Sequence, residues 1–189
     1  TSRDLKSLAF YIASSQFGII IFLIGLKAYN GALFYLLTST LSLTMLFLCF
    51  AIIMMKLNGE YQINKMGSLL IKIPSTFLFT LISSLSLIGV PFLSGFYSKN
   101  LIFSSVLPLN ESFIFFLIMM YFCYIFLLTY TLFKNMLIVF LCQNNCNIHL
   151  YNKIDEKMFL TKIILLVLAV FLIFSGWFLN NLFSGSNSE

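Results

Sequence analysis

Charge is what this sequence has least of. Asp, Glu, Lys and Arg make up 9% of its 189 residues, while 60% are hydrophobic and 23 are Phe, a balance from which no water-soluble surface can be built. No Gly-rich nucleotide loop follows a strand, no cysteine set has iron–sulfur spacing, and no paired carboxylates suggest an active site. A redox centre, and any cofactor, is therefore not expected in this chain. Cys142, Cys146 and His149 form a C-x3-C-x2-H pattern that lacks a fourth metal ligand, and Cys49 and Cys123 sit inside apolar runs, so free thiols are expected. The net charge of +5 comes from basic residues scattered singly rather than gathered on a phosphate-binding face, which argues against nucleic acid as a partner. No charged leader with a cleavage site precedes the first apolar run, so no removable signal peptide is expected.

What is there is length in apolar runs. A spanning helix needs about 20 apolar residues, and the runs at about 8–26, 32–55, 69–107, 112–142 and 158–179 meet that length. They do not alternate apolar with polar, as transmembrane strands do. The expectation is an all-α, polytopic transmembrane helix bundle of about five spans, forming a single transmembrane domain over 1–189 that contacts lipid. Arg3, Lys6, Lys56, Lys65, Lys72, Lys153, Lys157 and Lys162 would share one face, leaving Lys27 with Glu111 and Glu189 on the other. That asymmetry predicts an N-terminus on the cytoplasmic or matrix side, with the polar C-terminal tail outside.

The third run is nearly twice the required length and contains "GVPFLSGFYSKN". A helix entering near Lys72 travels about 25 Å before Gly89 at 1.5 Å per residue, so this break falls inside the membrane. Pro91 has no N–H to donate, and Gly89 and Gly95 permit backbone shapes that other residues resist. Non-helical backbone at that depth requires shelter from neighbouring helices or a wet cavity, as in the discontinuous helices of ion-coupled transporters. Lys99 follows four residues after Gly95. Two readings stand: a sheltered lysine that handles protons, or a lysine that snorkels to the interface near Pro108. Lys134 lies one or two turns inside the basic face, where snorkelling is the simpler reading.

Two further stretches carry polar groups into spans. "RDLKSLAFYIASSQFG" gathers Asp4, Lys6, Ser14, Ser15 and Gln16, a patch able to hold water or to bond a neighbouring helix. The second span has hydroxyls at Thr38, Ser39, Thr40, Ser42 and Thr44 but no ionisable side chain, and back-bonding to helix carbonyls is their ordinary role.

Taken together, "RDLKSLAFYIASSQFG", "NGEYQINKMGSLLIKIP", "SLSLIGVPFLSGFYSKNLI" and "FSGWFLNNLFSG" resemble, in order and spacing, the distal part of subunit 5 of mitochondrial NADH dehydrogenase. That family comprises the antiporter-like proton-pumping subunits of respiratory complex I. The resemblance implies a proton-translocating membrane-arm component in the mitochondrial inner membrane, multi-pass, N-terminus on the matrix side, working without a redox cofactor of its own. It implies Lys99 as the lysine of the distal broken helix, supported by Gly89, Pro91, Gly95 and Ser98. It also implies Lys6 in a half-channel with Asp4, Ser15 and Gln16, and Lys134 near a basic position of the following helix. Asn100 stands where an Asp often follows the lysine. Ser39 and Leu43 stand where the family usually has a His and a central Lys, so the central relay is absent from this span. The family's subunit is about three times longer in spans, which implies a piece of a split subunit, with a separate chain carrying the remaining helices and subunit 4 as neighbour. Two alternatives stay open: a scaffolding fragment that does not pump, and a paralogue of subunit 2 or 4.

Overall fold

In the computed structural model, residues 4–106, 111–143, 146, 151 and 159–184 are described. Among the described residues, six α-helices carry the fold: α1 Leu5–Gly25, α2 Tyr29–Lys56, α3 Pro74–Ile88, α4 Ser94–Val106, α5 Glu111–Met136 and α6 Phe159–Ser184. The architecture is an all-α membrane bundle with one discontinuous passage. Among the described residues four stretches, Leu5–Gly25, Tyr29–Lys56, Ile114–Leu141 and Leu160–Asn180, are long and apolar enough to cross a bilayer alone. α3, at 15 residues, rises about 22 Å. It needs α4 to complete a passage.

Helix ends fall where backbone chemistry dictates. Pro74 opens α3 at a position whose missing N–H would be unpaired anyway. α5 runs on through a π-helical turn, Leu137–Leu141, which the sequence does not announce. Among the described residues no strand forms; Asp4 and Gln62 make an isolated antiparallel bridge.

α2 is the hub, packed against α1, α3, α4 and α6. Its hydroxyls do as expected: Ser39, Thr40, Ser42 and Thr44 each bond a carbonyl one turn back. Leu5, Leu8 and Ile12 of α1 meet Leu43, Leu46 and Phe50 of α2 in one apolar cluster, which Ile63, Met66 and Leu69 of the α2–α3 connection close from below. A second cluster joins Ile19, Ile20 and Leu23 to Ala32, Tyr35 and Ile102. α6 seals the other side of α2 through Leu165, Ala169 and Leu172 against Met45, Cys49 and Ile52. Gly176 lets α6 approach α4 so closely that a Cβ there would meet Ser94 Cα at 2.5 Å.

The connections sort to two ends. At one, the N–H of Leu5 bonds Tyr61 O (2.9 Å), Lys6 lies 5.4 Å from the Tyr61 ring centroid, and Cys146 Sγ donates to Lys65 O (3.0 Å). At the other, Lys27, Asn30 and Gly31 face Leu101, Ser104 and Ser105. Arg3, Lys153, Lys157, Pro108, His149 and Glu189 lie outside the described residues. Cys49, Cys123, Cys142 and Cys146 form no disulfide, and among the described residues no metal-holding cluster forms.

Candidate functional site

The interruption between α3 and α4 is a constructed turn. Gly89 (φ 91°) leaves α3 in the left-handed region, its N–H bonding Ser86 O at 3.1 Å while that of Val90 reaches Leu85 O at 3.1 Å. These are the paired bonds of a Schellman helix end. Pro91 then occupies the second position of a turn closed from Leu93 N to Val90 O (3.3 Å), with Phe92 at φ 72° in the third. That is the φ pattern of a type II turn, for which proline is suited at the second position.

An α-helix leaves its last four carbonyls without helical partners. The Schellman bonds satisfy those of Leu85 and Ser86. Lys99, one turn into α4, reaches back and donates from Nζ to Leu87 O and Ile88 O, 2.7 Å each. The broken end of α3 is thus fully paired, and its negative dipole end meets a cation. Lys99 is 7% exposed and points across the break, not outward to an interface. Its nitrogen is tetrahedral, so the two carbonyl bonds leave one direction open. In the ammonium that direction holds the third hydrogen, and in the neutral amine it holds the lone pair. The same two bonds therefore serve both protonation states, and a proton can come and go without moving the side chain.

Close approach of the half-helices makes this reach possible. A Cβ on Gly95 would sit 1.8 Å from Ser86 O, and one on Gly89 would sit 2.7 Å from Lys99 Cδ. Ser86 Oγ and Ser94 Oγ are 3.4 Å apart at the same contact.

Around Lys99 lies a polar layer between the two apolar clusters of α1 and α2. Thr38 Oγ1 lies 3.0 Å from Ser98 Oγ, joining α2 to α4. Gln16, 1% exposed, accepts through Oε1 from the Tyr35 hydroxyl, while its Nε2 has no partner among the described residues. Gln16, Tyr35, Thr38, Ser39, Ser42 and Lys99 border one narrow cavity, with about 10 Å³ open to the centre of a water molecule. That is room for about one water.

A larger groove, about 580 Å³, opens between α1 and α5. Ser7 and Ser15 line it from α1, and Tyr124, Thr131, Lys134 and Asn135 from α5. Lys134 is exposed there, 5.6 Å from the Tyr130 ring centroid. At 1.5 Å per residue, Lys134 and Tyr124 stand about 15 Å apart along α5. Tyr124 lies alongside Ser15, Gln16 and Tyr35 without completing a hydrogen bond to any.

A profile of the family described as "NADH:quinone oxidoreductase/Mrp antiporter, TM" matches residues 1–125. The chain belongs to this family. Among similar proteins, the NADH-ubiquinone oxidoreductase chain 5 of Chondrus crispus is 34% identical over 99% of this chain and 29% of its own length. That of Wickerhamomyces canadensis is 44% identical over 55% of this chain and 16% of its own, and that of Pongo abelii 43% over 54% and 17%. The chain thus spans about 29% of the length of the relatives it matches end to end.

Within this family member, the structure brings together Gln16, Gly89, Gly95, Ser98 and Lys99, with Pro91 setting the turn. Ser39 joins the cavity wall, whereas Leu43 is buried in the apolar cluster. Lys6 and Asp4 stand apart at the end of the bundle, Asp4 contributing its backbone carbonyl to Ser7 Oγ (2.9 Å). Ser15 bonds Ile12 O (2.7 Å) and borders the groove with Lys134. Tyr35 and Tyr124 escaped sequence reasoning. The first had a usable signal: 35, 38, 39 and 42 fall on one helical stripe, all with hydroxyls. Tyr124 had none, lying within a run of aromatic and aliphatic residues.

Proposed function

We propose that this chain is a proton-translocating membrane-arm component of mitochondrial NADH:ubiquinone oxidoreductase, a piece of its subunit 5, with Lys99 as the group that takes up and releases the proton. One observation carries the proposal: an amine sheltered within the bundle caps a broken helix through two bonds that hold in either protonation state, beside a cavity of hydroxyls and one amide. Electron transfer from NADH to quinone takes place in other subunits, and no redox cofactor resides here. A change of charge in neighbouring subunits shifts the protonation of Lys99, and the open direction at Nζ exchanges the proton.

The inner mitochondrial membrane is the site of action, with the Lys6, Lys56 and Lys65 end on the matrix side, following the excess of basic residues there. Partners are the other membrane-arm subunits: a separate chain supplying the rest of a subunit 5 and a neighbouring subunit 4. Replacing Lys99 with Met in the assembled complex is expected to lower protons moved per electron while assembly is retained. An unchanged ratio refutes the role.

A second reading, a scaffolding element that does not pump, has one specific observation in its favour. Between Lys6 and the cavity, the α1–α2 contact is filled by apolar side chains, Leu5, Leu8, Ile12, Leu43 and Leu46. Loss of assembly without any separable loss of proton output in Lys99→Met favours this reading.

A further inference from the structure

We propose that Tyr35 and Tyr124, held in place by Gln16, form the connection through which protons reach Lys99 from the α1–α5 groove, by way of one water held in the cavity. The inference rests on the proton-translocating reading of Lys99 and adds its route.

Three observations lead there. First, the direct approach between α1 and α2 is closed by apolar packing from Leu5 to Leu46. On α3, Thr76, Thr80, Ser83 and Ser84 each donate to the carbonyl three residues back, so their protons are engaged within their own helix. Secondly, a polar partition stands between the groove and the cavity. Ser15 and Tyr124 face the groove, and their neighbours Gln16 and Tyr35 face the cavity. Thirdly, polar atoms are left over there. Gln16 Nε2 and the Tyr124 hydroxyl are buried with no partner among the described residues, and a buried unsatisfied donor costs about 1–3 kcal/mol. A water between Gln16 Nε2, Tyr35 and Lys99 Nζ gives Gln16 Nε2 its missing acceptor in a space of the right size.

The roles follow from the inventory of donors and acceptors. A phenol donates and accepts at one oxygen and so passes a proton, whereas a carboxamide holds its neighbours without carrying one. Gln16 Oε1 accepts the Tyr35 O–H and fixes its position, and Nε2 donates to the water. When the Tyr35 O–H turns from Gln16 to the water, one proton moves. A proton from the groove bonds to the Tyr124 oxygen as that oxygen gives its own to Tyr35. Tyr35 gives its own to the water, and the water gives one to the lone pair of Lys99. Each oxygen gains one proton and loses one, and the amine gains one.

The test uses the assembled complex in proteoliposomes, reading protons per electron alongside NADH:quinone electron transfer. Tyr35→Phe is expected to remove the whole share of proton output that Lys99→Met removes, and the double variant no more than either alone. Tyr124→Phe repeats the test should Tyr35→Phe fail to assemble, and Thr44→Val, whose hydroxyl bonds Leu41 O on the exposed face, controls for hydroxyl loss. A wild-type ratio in Tyr35→Phe beside a lowered ratio in Lys99→Met overturns the route and leaves Lys99 standing. A wild-type ratio in Lys99→Met overturns both. In the unaltered complex, a high-resolution map is expected to show a water within hydrogen-bond reach of Gln16 Nε2 and Lys99 Nζ, and a dry cavity overturns the route independently of any variant.

Discussion

Adding one methyl group at Gly95 tests whether the contact between the half-helices holds Lys99 in place. Its Cβ would lie 1.8 Å from Ser86 O, a backbone atom that cannot swing aside, whereas ordinary contact begins near 3.4 Å. α3 and α4 must therefore separate by about 1.5 Å or more. Overpacking of this kind costs about 1–3 kcal/mol. Lys99 sits one turn further along the same helix, so that separation stretches its 2.7 Å bonds to Leu87 O and Ile88 O beyond hydrogen-bond range. Losing a hydrogen bond to a charged group adds about 1.5–3 kcal/mol for each bond lost. The natural control is Gly18→Ala, where nothing lies within 4 Å and helix propensity favours alanine by about 1 kcal/mol. Thermal unfolding in detergent is expected to show Gly95→Ala melting well below the parent and Gly18→Ala at or above it. Proton output per electron is expected to fall in Gly95→Ala alone. Equal melting of the two alanine variants would refute the close-contact argument.

Other positions yield independent tests. Phe92 holds φ 72° with 83% of its surface exposed, and a left-handed L-residue costs about 1–2 kcal/mol, so Phe92→Gly is expected to raise the melting temperature. A lower one would mean that another chain covers the ring. Burial raises the pKa of the Cys146 thiol, in the connection outside the spans, and its Sγ donates to Lys65 O. The reactive thiolate therefore forms only at higher pH than for an ordinary thiol. Single-cysteine variants are expected to show Cys146 alkylated by a membrane-impermeant maleimide more slowly than exposed Cys142 at neutral pH, with the gap closing as pH rises. Labelling of both from the matrix side only checks the orientation, and labelling from the opposite side inverts it.

How much was legible in advance differs from residue to residue. Gly89, Pro91 and Gly95 announced a break because each changes what the backbone can do locally, whatever surrounds it. Lys99 announced itself as an anomaly in an apolar run, yet two fates for it remained open. Its reach back to the carbonyls of Leu87 and Ile88 depends on how tightly α4 folds against α3, which rests on the Gly95 contact and the left-handed turn at Phe92. Ser39 and Leu43 looked like equivalent losses in the sequence. The fold separates them, one into the polar cavity and the other into the apolar cluster.

By itself the sequence determined the helical bundle, the interruption in its long third run and the unequal distribution of basic residues. A bilayer forces each backbone to satisfy its own hydrogen bonds, so apolar length, proline and charge translate directly into local structure. Tertiary structure alone decided that the lower α1–α2 contact is apolar, that Gln16 meets Tyr35, and that Tyr124 lies beside Ser15 and Gln16. Those meetings join residues up to about a hundred positions apart. They are set by the rotation and closeness of packed helices, which composition and spacing within one segment do not record.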